Sequence, residues 1–227
     1  ANLYLNKKSD QKALNILQKL NIDKPTAVTQ EALGRAYVIR ENYINALPVY
    51  DGLIHKMTDQ ELNANPQVLY FRGICYERIG KWDEAEADFK KVLSIDPNHA
   101  DALNYLGYTW IEKGKYLSTS LEMIQKAVKL SPNSGAIIDS LGWAYYKLGN
   151  LKKAKLNLEA AVELSPTSAT IIDHLGDIYW VIGRKKEAMY QWERALNYNP
   201  TKKEKNYILE KLDGKFVYQH HDIGVQS

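Results

Sequence analysis

Leu141-Gly142-Trp143-Ala144-Tyr145-Tyr146, followed by Gly149-Asn150, Ala154, Leu158, Ala161 and Pro166, is the stretch whose spacing decides the fold. Gly142 and Ala154 are small where two antiparallel helices would cross. Tyr145 and Leu158 are large where one helical hairpin would meet the next. Gly149 ends the first helix, because glycine takes the left-handed conformation at little steric cost. Ser165-Pro166 ends the second, because the residue before a proline is pushed out of the helical region. A proline inside a helix costs about 3 kcal/mol, so prolines recurring at a fixed spacing mark boundaries.

The same pattern returns along the chain. Shifted by 34 residues it reads Leu175-Gly176, Tyr179, Gly183, Ala188, Trp192, Ala195 and Pro200. Upstream it reads Leu106-Gly107, Trp110, Gly114, Ser120, Ile124, Ala127 and Pro132, with one extra residue near Leu117–Thr119. Gly73, Tyr76, Gly80, Ala85, Phe89, Val92 and Pro97 form an earlier copy. The weakest has Leu33-Gly34, Tyr37, Ala46, Tyr50 and Leu53, then a longer connection through Thr58–Asn65.

This spacing resembles the tetratricopeptide repeat, over roughly residues 1–202. The resemblance implies an all-α, right-handed superhelical solenoid of antiparallel helix-turn-helix hairpins. It divides the chain into a partial repeat at 1–26, a degenerate one at 27–65, and full repeats at 66–99, 100–134, 135–168 and 169–202. A polar-faced capping helix at 203–212 and a tail at 213–227 complete the plan. Tyr4 stands where the aromatic of a first helix belongs, so the expectation is that the chain starts inside a repeat that continues upstream.

Composition narrows the function. Apolar residues make up 45% and charged residues 25%, as in soluble globular proteins, and the net charge is only +3 with both signs interspersed. No basic stripe for nucleic acid is present. No HExxH, GxSxG, P-loop or EF-hand pattern occurs, and the single Cys75 falls at a small packed place. The reading is therefore no enzyme, no cofactor, no metal and no small-molecule substrate. His220 and His221, in the tail, are read as solvated.

In the resembled family, the second, fifth, ninth and twelfth or thirteenth places of each repeat face a concave groove. Carried over, the candidate partner-binding residues are Arg35, Tyr70, Asn104, Tyr108, Asp139, Trp143, Tyr146, Asp173, Asp177 and Trp180. Aromatics beside carboxylates are what a protein-binding surface offers, and Asp139, Asp173 and Asp177 favour a partner segment with basic residues. Charge reversal at Asp173 and Asp177 is then expected to weaken binding without unfolding the stack. The Lys/Asn clamp that some members use for a terminal carboxylate is not matched, since those places hold Glu31, Tyr70, Asp139 and Asp173.

The expected function is a scaffold or adaptor that holds a partner protein segment in that groove. The alternative is a self-associating structural repeat protein, joined end to end through an apolar face at Leu14, Leu17 and Leu20. The run Leu106-Gly107-Tyr108-Thr109-Trp110, with Ile138-Asp139-Ser140-Leu141-Gly142-Trp143 and His174-Leu175-Gly176-Asp177, is similar to large tetratricopeptide proteins of Gram-negative bacteria. Some of these are envelope lipoproteins that dock periplasmic proteases or assembly machinery. That likeness implies an envelope location and a protease-type partner, with a cytoplasmic adaptor as the alternative.

Overall fold

The computed structural model describes residues 7–214, with side chains from Gln11 onward. The tail beyond Gly214, with His220 and His221, and Tyr4 lie outside the described residues. Thirteen α-helices and no strand occur among the described residues. The chain forms two compact units, divided between Ala102 and Leu103.

The first unit holds α1 (Lys7–Asp23), α2 (Ala27–Ile39), α3 (Tyr43–Lys56), α4 (Asp59–Ala64), α5 (Gln67–Arg78) and α6 (Trp82–Ile95). Helices α2 with α3, and α5 with α6, form antiparallel hairpins. At each crossing a glycine faces a fully buried ring. A β-carbon on Gly34 would lie 2.7 Å from Tyr50, and one on Gly73 would lie 2.9 Å from Phe89. Arg72 of α5 ties three helices together. Its guanidinium donates to both oxygens of Asp88 on α6, at 2.8 and 2.7 Å, and to Asp51 on α3 at 3.1 Å. The expected long connection forms one more short helix, α4, because Thr58 and Glu61 make a reciprocal capping box at its start.

The second unit carries α7 (Ala100–Glu112), whose first turn begins just before the division, then α8 (Leu117–Leu130), α9 (Gly135–Lys147) and α10 (Leu151–Leu164). It ends with α11 (Ala169–Val181), α12 (Lys185–Leu196) and α13 (Lys202–Leu212). Gly107, Gly142 and Gly176 meet Ile124, Leu158 and Trp192 as their counterparts do in the first unit, with β-carbon distances of 2.9, 2.7 and 2.5 Å. Those large residues, with Ala154, Ala161, Ala188 and Ala195, form one continuous core.

One glycine turn closes four of the five hairpins. Gly80, Gly114, Gly149 and Gly183 all have positive φ, and the next residue donates its N–H to the carbonyl of the aromatic five positions before it. The pairs are Lys81 to Tyr76, Lys115 to Trp110, Asn150 to Tyr145 and Arg184 to Tyr179, each at 2.8 Å. These bonds satisfy carbonyls that the helix end leaves unpaired. The extra residue of the 100–134 repeat lies slightly earlier than the spacing places it. It separates Gly114 from the cap of α8, where Tyr116 adopts a left-handed conformation with φ of 47°. Proline marks the ends of α6, α8, α10 and α12, but Pro48 lies within α3.

Candidate partner-binding site

Two of the ten candidate residues belong to the first unit. Arg35 is exposed on α2 and lies over the ring of Phe71, 5.2 Å from its centroid. Tyr70 is buried. It packs against Phe71, Phe89 and His99, with the His99 ring 5.0 Å away. An open cleft of about 450 Å³ lies between α1 and α2, lined by Leu14, Leu17, Val28, Ala32, Arg35 and Ile39 among others. Leu14 is buried there, contrary to the expectation of an open face, while Ile16, Leu20, Val28 and Ile39 are exposed.

The other eight lie in the second unit, on the first helices of its hairpins. The expectation that they share an open surface fails for half of them. Asp139, Tyr146, Asp173 and Asp177 are all buried. The physical reason is that the fifth place of a first helix is turned towards the next first helix. Asp139 of α9 accepts a hydrogen bond from His174 Nδ1 of α11 at 2.9 Å. Asp173 of α11 takes both oxygens to Lys211 Nζ of α13, at 2.8 and 2.9 Å. Asp177, at the ninth place, also accepts from Lys211 at 2.6 Å and from Trp192 Nε1 at 3.0 Å. The carboxylates read as a lure for a basic partner are thus neutralised within the chain. Charge reversal at Asp173 and Asp177 would bury new cations against Lys211 and the His174 ring, so the expectation that it spares the stack is corrected. Asn104 is half-buried, and its Oδ1 has no hydrogen-bond partner among the described residues.

Lys211 was legible in principle. It stands 34 residues after Asp177, at the ninth place of one further copy of the pattern. Its importance lay hidden because that copy is read as a polar cap. His174 is likewise the residue that brings charge to Asp139. Burial alone would lower its pKa, but Asp139, with Asp173 and Asp177 behind it, raises it to about 9. At neutral pH the ring is therefore an imidazolium. Burial and the neighbouring Asp177 push Asp173 up to about 6, against the pull of Lys211 and His174.

Tyr108, Trp143 and Trp180 remain partly open, on α7, α9 and α11 in succession. Trp143 is held from both sides. Its Nε1 donates to Glu112 of α7 at 2.6 Å, and its ring stacks on His174 of α11 with centroids 4.3 Å apart. Lys147 reaches the same Glu112 at 3.6 Å. Trp180 packs on Trp192, 5.2 Å between centroids, and carries the Lys185 ammonium 3.6 Å from its own centroid. Cys75, the lone thiol, is fully buried, and burial pushes it up to about 12, which leaves it a packed group rather than a nucleophile.

Residues 66–99 and residues 137–168 each match the tetratricopeptide repeat family. Two hairpins, α5–α6 and α9–α10, thus match the tetratricopeptide repeat. A TPR repeat-containing protein of Pseudomonas aeruginosa is 36% identical over 107 residues, which cover 47% of this chain and 17% of the relative. The matched stretch therefore spans less than a fifth of that protein's length. A thermophilic TPR protein of Thermus thermophilus has the same fold, with a TM-score of 0.70 at 21% identity, covering 82% of this chain and 99% of the other. A chain of the Cut9–Hcn1 hetero-tetramer aligns with a TM-score of 0.76 at 18% identity, covering 92% of this chain and 40% of its own length. The tetratricopeptide pattern accounts for the glycine crossings and the turns. It does not account for the row of partly open rings.

Proposed function

We propose that this tetratricopeptide protein is a protein-interaction scaffold. Its second unit holds a partner segment against Tyr108, Trp143 and Trp180. The observation that carries the reading is Trp143: a large ring left partly open, yet fixed by a hydrogen bond to Glu112 and by stacking on His174. A ring already held in place loses little freedom on binding, and aromatic anchors of this kind dominate interface energies. Because the buried carboxylates are neutralised internally, any preference for a basic segment is assigned to Glu112 at the edge of the row, which is exposed and only loosely paired with Lys147 at 3.6 Å. The likeness to Gram-negative envelope proteins extends the proposal to an envelope partner, with a protease among the classes it brings.

The test is capture of partners from the source organism, followed by affinity measurement with the purified partner. Tyr108→Ala, Trp143→Ala and Trp180→Ala combined are expected to weaken binding by at least about 100-fold, some 2–3 kcal/mol. The thermal transition of the variant is followed alongside, because Trp180 also packs on Trp192. Undiminished affinity in a folded triple variant would remove the row as the site.

A further inference from the structure

Helix α13 stands at the place of a first helix and is the last helix among the described residues. Asn206 and Glu210 stand 34 residues after Ile172 and Gly176, so its face for a following second helix is polar. Its own attachment is narrow. Among its residues Ile208 and Lys211 are buried, one turn apart, while Tyr207 and Leu209 are exposed. The Lys211 side chain is wholly enclosed, its ammonium between Asp173 and Asp177 and over the ring of Tyr207 at 4.4 Å. Trp192 walls the site and fixes Asp177 through its indole N–H. At the outer edge the Thr170 hydroxyl donates to Glu204 at 2.6 Å.

We propose that α13 is an internal occupant of a helix-binding seat on α11 and α12, exchangeable for a partner helix with an aliphatic residue three positions before a lysine. The chemistry of the seat sets the class of ligand. Two buried carboxylates without a cation are costly, so a neutral helix cannot replace α13. A second ammonium can, because the exchange leaves the charge of the seat unchanged. The apolar half of the ligand follows from Ile208, whose side chain enters the same core as Trp192. With a polar outer face and only Ile208 and Lys211 buried, α13 can leave while the hairpins beneath it stay folded, because stability in a repeat stack is a sum of nearest-neighbour terms. The proposal goes beyond the aromatic row and stands separately from it.

The probe is a labelled peptide with the sequence of residues 201–214, added to the full chain. A Lys211→Ser chain, whose own helix has lost its ammonium, is expected to bind the peptide at least about tenfold more tightly than the unaltered chain. A peptide carrying the same Lys211→Ser change is expected to lose that binding. Equal affinity of both chains, or binding indifferent to the peptide's lysine, overturns the proposal. Should Lys211→Ser fail to fold, hydrogen exchange on the unaltered chain decides. Excess peptide is expected to speed exchange in α13 while α11 and α12 keep their protection, and unchanged α13 exchange at saturating peptide overturns the proposal. A Tyr108→Ala chain separates the two sites, because it is expected to lose partner affinity at the aromatic row and still take up the peptide.

Discussion

Glu41 holds the turn position that glycine fills at Gly80, Gly114, Gly149 and Gly183, and it does so with φ of 56°. Its side chain is exposed, so nothing in the packing calls for a carboxylate there. The left-handed conformation brings the β-carbon of an L-residue close to the following carbonyl and costs roughly 1–2 kcal/mol. Part of that gain is offset by the larger freedom glycine has in the unfolded chain. Glu41→Gly is therefore expected to stabilise the α2–α3 hairpin by about 0.5–1 kcal/mol, read as a higher denaturant midpoint with an unchanged slope. A lower midpoint would show that the turn gains from Glu41 in a way the backbone does not reveal.

At the scale of elements, the first unit depends on one guanidinium shared by three helices. Asp88 is buried on α6, and its two oxygens are both taken by Arg72 of α5. Removing the cation leaves an uncompensated carboxylate in the core, which costs about 3–5 kcal/mol, more than the net worth of the intact pair. Arg72→Met is expected to lose that amount in chemical denaturation, and Arg72→Met with Asp88→Leu to recover most of it. A double variant no better than the single would mean that Arg72 acts chiefly through Asp51 or through its packing on Tyr76. Such pairs explain where the sequence reading stopped. The hairpins were legible because Gly142 with Leu158, and Gly176 with Trp192, recur at one spacing and their contacts stay within a hairpin. The burial of Asp173 and Asp177 was not, because their partner comes from a helix 34 or more residues later, and only packing says which way a fifth-place side chain turns. Pro48 breaks the boundary rule for a related reason: tertiary burial of Ala46, Tyr50 and Leu53 holds α3 together across it.

For the molecule as a whole, the two units contain ionic cores of different kinds, and pH separates them. The first unit's cation is the half-buried Arg72, which keeps its charge throughout the ordinary range. The second unit's includes His174, facing Asp139 from α9, Asp173 and Asp177 from its own helix and Glu204 from α13, with Lys211 of α13 on the far side of the two α11 carboxylates. The folded pKa of His174, about 9, lies above the ordinary value of 6.5. A group raised on folding contributes stability that is complete below its unfolded pKa and lost as the pH climbs through the folded one. Stability of the second unit should thus fall between about pH 6.5 and 9, by as much as about 3 kcal/mol. Asp173, titrating at about 6, has finished its own change near the bottom of that window, so His174 dominates within it. Hydrogen exchange followed at pH 6.5 and at pH 9.5, corrected for intrinsic rates, should show protection falling in α9 and α11 and holding in α5 and α6. His174→Gln is neutral at both values and should flatten the dependence of the second unit. A slope that survives in His174→Gln would assign the alkaline loss to another group. An equal slope in both units would make it a property of net charge rather than of this buried pair.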